Sequence, residues 1–287
     1  MGWAVLLALA SGATWAIGMT VAKPVLRSID VLSYMLGRWL LVAPLALLYA
    51  AVTGTLGFTS GLAIGMAVLA GFVDSTLGGF FYLMAMQRAP AYQTATLAST
   101  APLWGVTTAI LILGEPLRWE ILVAAVLVVS GAYFLVGRRW SIRGHLAGSL
   151  YGLLTGFLWG FAETVPSKLA LEHGLSPASL LFVFSCSGVV TIALMTPFLR
   201  ARFPRRISRR GLALTALAGI GGAFLGWILW LTSLSLAPAS LISPIRGSTL
   251  VFSLIYSILF LRERLTRRAL LGALFVLAGV VLVSFRP

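Results

Sequence analysis

Between residues 3 and 286 the chain is a succession of ten apolar blocks, many running 18 residues or more without a charge, parted by short polar gaps. About 20 apolar residues in a helix, each rising about 1.5 Å, cross a hydrocarbon core about 30 Å thick. Blocks of that length have no stable place in water. Charged residues make up only 10% of the sequence and hydrophobic ones 60%, against about 25% and 45–50% in soluble domains. Too little polar surface remains to cover a globule, so the chain is read as an all-α integral membrane protein. Its spans are expected at 3–22, 31–52, 61–87, 92–114, 118–137, 147–171, 178–199, 211–235, 240–261 and 267–286.

Basic residues set the expected orientation. The connections after spans 1, 3, 5, 7 and 9 hold sixteen Lys and Arg, from Lys23 and Arg27 to Arg267 and Arg268. The opposite side holds only Arg118, Lys168 and Arg286. The positive-inside rule then puts the odd-numbered connections in the cytoplasm and both termini outside; the membrane itself is expected to be a bacterial inner (plasma) membrane. The formal net charge of +14 is accounted for by this pattern, and no nucleic-acid partner is expected. Met1-Gly2-Trp3 offers no basic n-region, so the first block is expected to be a retained span. Cys186 is the sole cysteine, and His145 and His173 fall in connections. No metal site and no cofactor is expected.

The chain repeats itself at a nearly constant spacing. Ala89-Pro90-Ala91 returns as Ala237-Pro238-Ala239, a shift of 148. The same shift carries Gly78 to Gly226, Tyr82 to Trp230, Glu115 to Glu263 and Gly131 to Gly279. A shift of 144 carries Gly12, Trp15 and Thr20 to Gly156, Trp159 and Thr164. Residues 1–140 and 141–287 are thus read as two copies of one five-span unit. Five is odd, so the second copy enters the membrane upside down. Two inverted-topology five-helix repeats around a central cavity are the architecture of secondary transporters, with the substrate held near the midplane.

The run from Thr100-Ala101-Pro102 to Gly114-Glu115-Pro116-Leu117, and its partner ending Arg262-Glu263-Arg264-Leu265, resemble the two signature regions of the drug/metabolite transporter (DMT) superfamily, in its ten-span EamA-type branch. The resemblance covers essentially the whole chain. It implies an exporter-like carrier for amino acids, as in the aromatic amino acid exporters of the YddG type, or for other small metabolites. Many such relatives have basic cytoplasmic N-termini, which this chain lacks.

Polar groups inside a span are costly, so each is weighed for function. Asp74, beside Ser75 and Thr76 midway along span 3, could bind an ammonium group or carry a proton; the alternative is a protonated or Arg-paired tie. Glu163 in span 6 is read the same way. Arg246 follows Ser243-Pro244, where the proline frees backbone carbonyls, and a guanidinium beside a broken helix suits a substrate carboxylate. Its alternative is an ion pair with Asp74 or Glu163. Arg38 is read as a snorkelling or structural charge. The repeat-matched aromatics Trp15 and Trp159, and Tyr82 and Trp230, are candidate walls for an aromatic, apolar or cationic ligand. Ser99 and Thr100, with counterparts Gly247 and Ser248, either line the pathway or let spans 4 and 9 pack closely. Gly12 and Gly156 are read as close-packing positions. The substrate-binding candidates are therefore Trp15, Asp74, Tyr82, Ser99, Trp159, Glu163, Trp230, Ser243 and Arg246. Glu115 and Glu263 are read as helix-capping turn residues, and Trp3, Trp119 and Trp140 as interfacial anchors.

The leading function is a carrier working by alternating access on a small-molecule substrate, with membrane lipids as its surroundings. A lipid or other metabolite flippase, a non-transporting scaffold and a membrane enzyme are the alternatives. No catalytic constellation lies in the spans, so an enzyme is not expected. With no Walker loop in the chain, energy is expected to come from gradients. A monomer and a homo-oligomer are equally compatible with the sequence.

Overall fold

The computed structural model describes residues 2–26, 28–58, 60–89, 94, 97–136, 146–199, 208–261 and 267–284. Helix α1 is Gly2–Leu26. α2 is Val31–Val52, begun by Asp30, whose carboxylate accepts the Ser33 N–H at 2.9 Å. α3 joins Gly61–Gly71, a π-helical turn at Phe72–Gly78 and Gly79–Arg88. α4 is Ala101–Leu113, closed by Gly114 in the left-handed region at φ 70°. α5 is Trp119–Val136, α6 Leu146–Glu172 and α7 Pro177–Leu199. α8 joins Arg209–Leu217, a second π-helical turn at Ala218–Phe224 and Leu225–Leu236. α9 joins Ala239–Ile242, a 3-10 turn at Ser243–Gly247, where Pro244 interrupts the ladder, and Ser248–Leu261. α10 is Arg267–Ser284. No strand occurs among the described residues.

Five of these helices, α2, α3, α7, α8 and α9, are each long and apolar enough to cross a membrane alone. Large apolar side chains face outward: Val52, Leu111 and Phe198 are all more than three-quarters exposed. Water would penalise such a surface and lipid does not. Trp3 and Trp119, expected as interfacial anchors, are also exposed, while Trp140 lies outside the described residues.

The repeat is visible in the caps. Ser60 opens α3 by accepting the Ala63 N–H, and Ser208, its equivalent, opens α8 by accepting the Gly211 N–H. The two π-helical turns fall within two residues of equivalence, although no residue pattern signals either.

Inversion is visible in the packing. A side chain on Gly131 of α5 would strike the carbonyl of Gly272 and Val276 of α10. A side chain on Gly279 of α10 would strike the carbonyl of Ala124 and Val128 of α5. These contacts interchange under the shift of 148, and contact positions fall on one helix as they rise on the other. The two equivalent helices therefore run antiparallel, as a twofold axis in the membrane plane requires. α1 packs on α8 and α9, and α6 correspondingly on α3 and α4. Gly12 meets Ser248 and Thr249 of α9, while Gly156 meets Thr100 and the carbonyls of Leu97 and Ala98. The close-packing role expected of both glycines is what the structure shows. The expected junction between repeats, at 140/141, lies outside the described residues.

Candidate functional site

Where the repeats meet, a cavity of about 300 Å³ is enclosed by α1, α2, α3, α4, α6, α8 and α9. That volume lies at the lower end of small-molecule sites, which run about 300–1,000 Å³. Its walls come from particular segments: Val31, Tyr34 and Arg38 near the start of α2, Tyr82 and Leu83 late in α3, Ala98 and Ser99 just before α4, and Ala218 and Gly222 early in α8. All of these lie in the half of the bundle nearer the odd-numbered connections.

The opposite half is tied shut. Glu115, in the turn after α4, accepts the N–H groups of Ala239 and Ser240 at 2.7 and 2.8 Å, capping α9. Lys168 of α6 donates to the carbonyls of Leu234 and Ala237, at 2.9 and 3.1 Å, where α8 ends. Ser176 and Ser179 donate to the Thr55 carbonyl, at 2.8 and 3.1 Å, and Ser233 to that of Ala4 at 2.7 Å. The four even-numbered connections are thereby linked by hydrogen bonds. The expectation that Glu115 caps the next helix is corrected: it caps α9, from the other repeat, because the antiparallel packing brings the start of α9 to it. Glu263 lies outside the described residues.

Four charged side chains line the cavity, Arg38, Asp74, Glu163 and Arg246. Arg246 and Glu163 form an ion pair, with Nη2 donating to Oε1 at 2.6 Å and Nε facing Oε2. The Arg246 guanidinium also sits 5.3 Å from the Trp15 ring centroid. Asp74 lies within electrostatic reach of Glu163, Arg38 and Arg246, yet among the described residues its carboxylate receives no hydrogen bond. Its backbone is differently placed: the π-helical turn aims the Asp74 carbonyl at Trp159, whose Nε1 donates to it at 3.2 Å. Arg38 makes no ion pair among the described residues and lies 4.9 Å from the Trp39 ring and 5.7 Å from that of Tyr34.

The aromatic walls obey the repeat. Trp15 packs on Trp230 at 5.6 Å between centroids, and the equivalent pair, Trp159 and Tyr82, at 5.3 Å. Trp227 adds an edge contact to Trp15 at 5.6 Å.

Of the nine expected residues, Trp15, Asp74, Tyr82, Ser99, Trp159, Glu163 and Arg246 line the cavity. Trp230 and Ser243 stand behind its wall. Trp230 is fully buried and donates through Nε1 to the Glu163 carbonyl at 3.0 Å. Ser243 donates to the Pro102 carbonyl at 3.1 Å, against Gly105, so it is Ser243 that brings α4 and α9 together. Sequence reasoning set aside Arg38. The available signal was its place eight residues into an otherwise uncharged span, too deep for ready snorkelling. Chemically, the chamber offers rings for an apolar body, the Asp74 carboxylate for a cation and guanidinium groups for an anion.

The EamA-like transporter family matches this chain twice, over residues 2–137 and 146–285. A protein of Archaeoglobus fulgidus described as an uncharacterized transporter is 21% identical over 223 residues, covering 77% of this chain and 76% of that one. A solved structure described only as a crystal structure of a protein superposes with a TM-score of 0.81 at 14% identity. It covers 97% of this chain and 95% of its own, a likeness of fold alone.

Proposed function

Because this chain belongs to the EamA-like transporter family, and is therefore a multi-pass membrane protein of a transporter family, we propose that its cavity is the substrate site of a secondary carrier. The substrates are amino acids, aromatic ones among them, or similarly small metabolites, exported across the inner membrane by alternating access. The observation that carries this reading is a chamber between inverted halves, walled by Trp15, Tyr82 and Trp159 and lined by the Asp74 carboxylate, which receives no hydrogen bond among the described residues. Asp74 receives the ammonium group, the rings hold the side chain, and Ser99 supplies a polar contact at the rim.

Inversion gives the mechanism its economy. The halves are the same unit in opposite orientations, so a rocking motion that closes one face opens the other through equivalent contacts. The bonds tying the even-numbered connections belong to the closed face in this reading. With the odd-numbered connections in the cytoplasm, as their basic residues direct, the conformation in this reading is the inward-facing form, ready to load from inside the cell.

The test is counterflow in liposomes. Purified protein preloaded with unlabelled amino acid is expected to accumulate the labelled one saturably, above empty vesicles. Absence of such flux for every member of an amino acid and metabolite panel overturns the reading.

A further inference from the structure

We propose that Arg38, rather than Arg246, recognises the substrate's anionic group and, with Asp74, makes the chamber selective for ligands bearing both a positive and a negative charge. This inference rests on the carrier reading and names its substrate class. The four cavity charges sum to zero, but they are not equally engaged. Glu163 and Arg246 are joined by one hydrogen bond and a second charge contact, and the face of Arg246 meets Trp15. A ligand carboxylate reaching Arg246 must first displace Glu163 and leave that buried acid without a partner.

Arg38 is differently placed. It lines the same cavity, and among the described residues its buried Nε has no hydrogen-bond acceptor. Its contacts are with the rings of Trp39 and Tyr34, which use none of its N–H donors. Trp39 is itself fully buried and backed by Phe184 at 5.2 Å, so the platform is fixed. Asp74 faces the cavity from α3 and forms no ion pair with Arg38. One acid and one base, within electrostatic reach of each other but not joined in a contact ion pair, are left facing a single chamber. A ligand with one charge pairs with only one of them and leaves the other without a direct partner. A dipolar ligand compensates both, the planar fork of Arg38 suiting a carboxylate.

The experiment uses the purified full-length protein, titrated with three probes sharing one ring: L-phenylalanine, 2-phenylethylamine and 3-phenylpropionate. Binding is read by tryptophan fluorescence, in wild type and in Arg38→Gln, Arg38→Lys, Arg246→Gln and Asp74→Asn. Wild type is expected to prefer phenylalanine to either singly charged probe. Arg38→Gln is expected to weaken phenylalanine about 10- to 100-fold, as loss of a charged hydrogen bond implies, while leaving phenylethylamine within about twofold. Asp74→Asn is expected to do the converse, sparing phenylpropionate. Arg38→Lys keeps the charge without the fork and is expected to lie between wild type and Arg38→Gln. It carries the test if the glutamine variant does not fold. Equal weakening of all three probes by the Arg38 substitutions overturns the inference, as does loss of the carboxylate preference in Arg246→Gln alone. In both cases wild-type binding of phenylalanine leaves the carrier reading standing. Failure of wild type to bind any probe overturns this inference together with the amino acid reading.

Discussion

Arg246 and Glu163 face each other across the boundary between α9 and α6 as a two-point ion pair, the carboxylate 3% and the guanidinium 19% exposed. Removing one member leaves the other charged and poorly solvated. Glu163→Gln or Arg246→Gln alone is expected to cost about 3–5 kcal/mol. Replacing both together, as Glu163→Leu with Arg246→Met, is expected to cost clearly less than the sum. Thermal unfolding of the purified variants measures both. Additive losses contradict the pairing.

Glu115 provides the acceptors for two N–H groups at the start of α9. Glu115→Ala is expected to lower stability by about 1–2 kcal/mol, in the range of lost helix caps. Amide hydrogen exchange at Ala239 and Ser240 is expected to quicken locally. Unchanged exchange at these two positions would show that another group holds this end of the helix.

Gly131 and Gly279 let α5 and α10 touch backbone to backbone. Valine at either position has no room unless the helices separate. Gly131→Val and Gly279→Val are each expected to destabilise by about 1–3 kcal/mol, the usual cost of overpacking. Melting curves check this, and the near-equality of the two effects checks the twofold relation.

The arrangement of these helices could be read from the sequence because hydrophobic length and internal repetition are both linear properties. Val31–Val52 coincides with an expected span, and the shift of 148 that pairs Gly131 with Gly279 also generates their contacts. Direction across a helix is not linear information. Trp230 shares its repeat position with Tyr82, yet Tyr82 lines the cavity and Trp230 is sealed behind it. Arg38, read from the sequence as a snorkelling or structural charge, lines the cavity because of the helix face it occupies. The π-helical turns at Phe72–Gly78 and Ala218–Phe224 depend on tertiary packing, and nothing in the residue pattern announces them. Symmetry also proved stronger in packing than in chemistry: Asp74 corresponds to Gly222 and Arg246 to Ala98. The scaffold is duplicated while the charges are not, which gives the chamber a fixed polarity for a dipolar ligand.

Trp159 packs at a tilt against Tyr82 along one wall of that chamber. Trp159→Leu is expected to reduce the preference for phenylalanine over alanine by about 2- to 10-fold, the loss expected for an aromatic contact. Competition between the two amino acids in the counterflow assay measures it. An unaltered preference places the side-chain pocket elsewhere.

Access to the chamber from both faces decides whether the protein is a carrier of the kind proposed. Ser99 lines the cavity, and Cys186, the native thiol, can be replaced by serine to give a clean background. In oriented vesicles, Ser99→Cys should be alkylated by a membrane-impermeant reagent from either side, with substrate on one side changing the rate on the other. Labelling confined to a single face, whatever substrate is present, contradicts alternating access through this cavity.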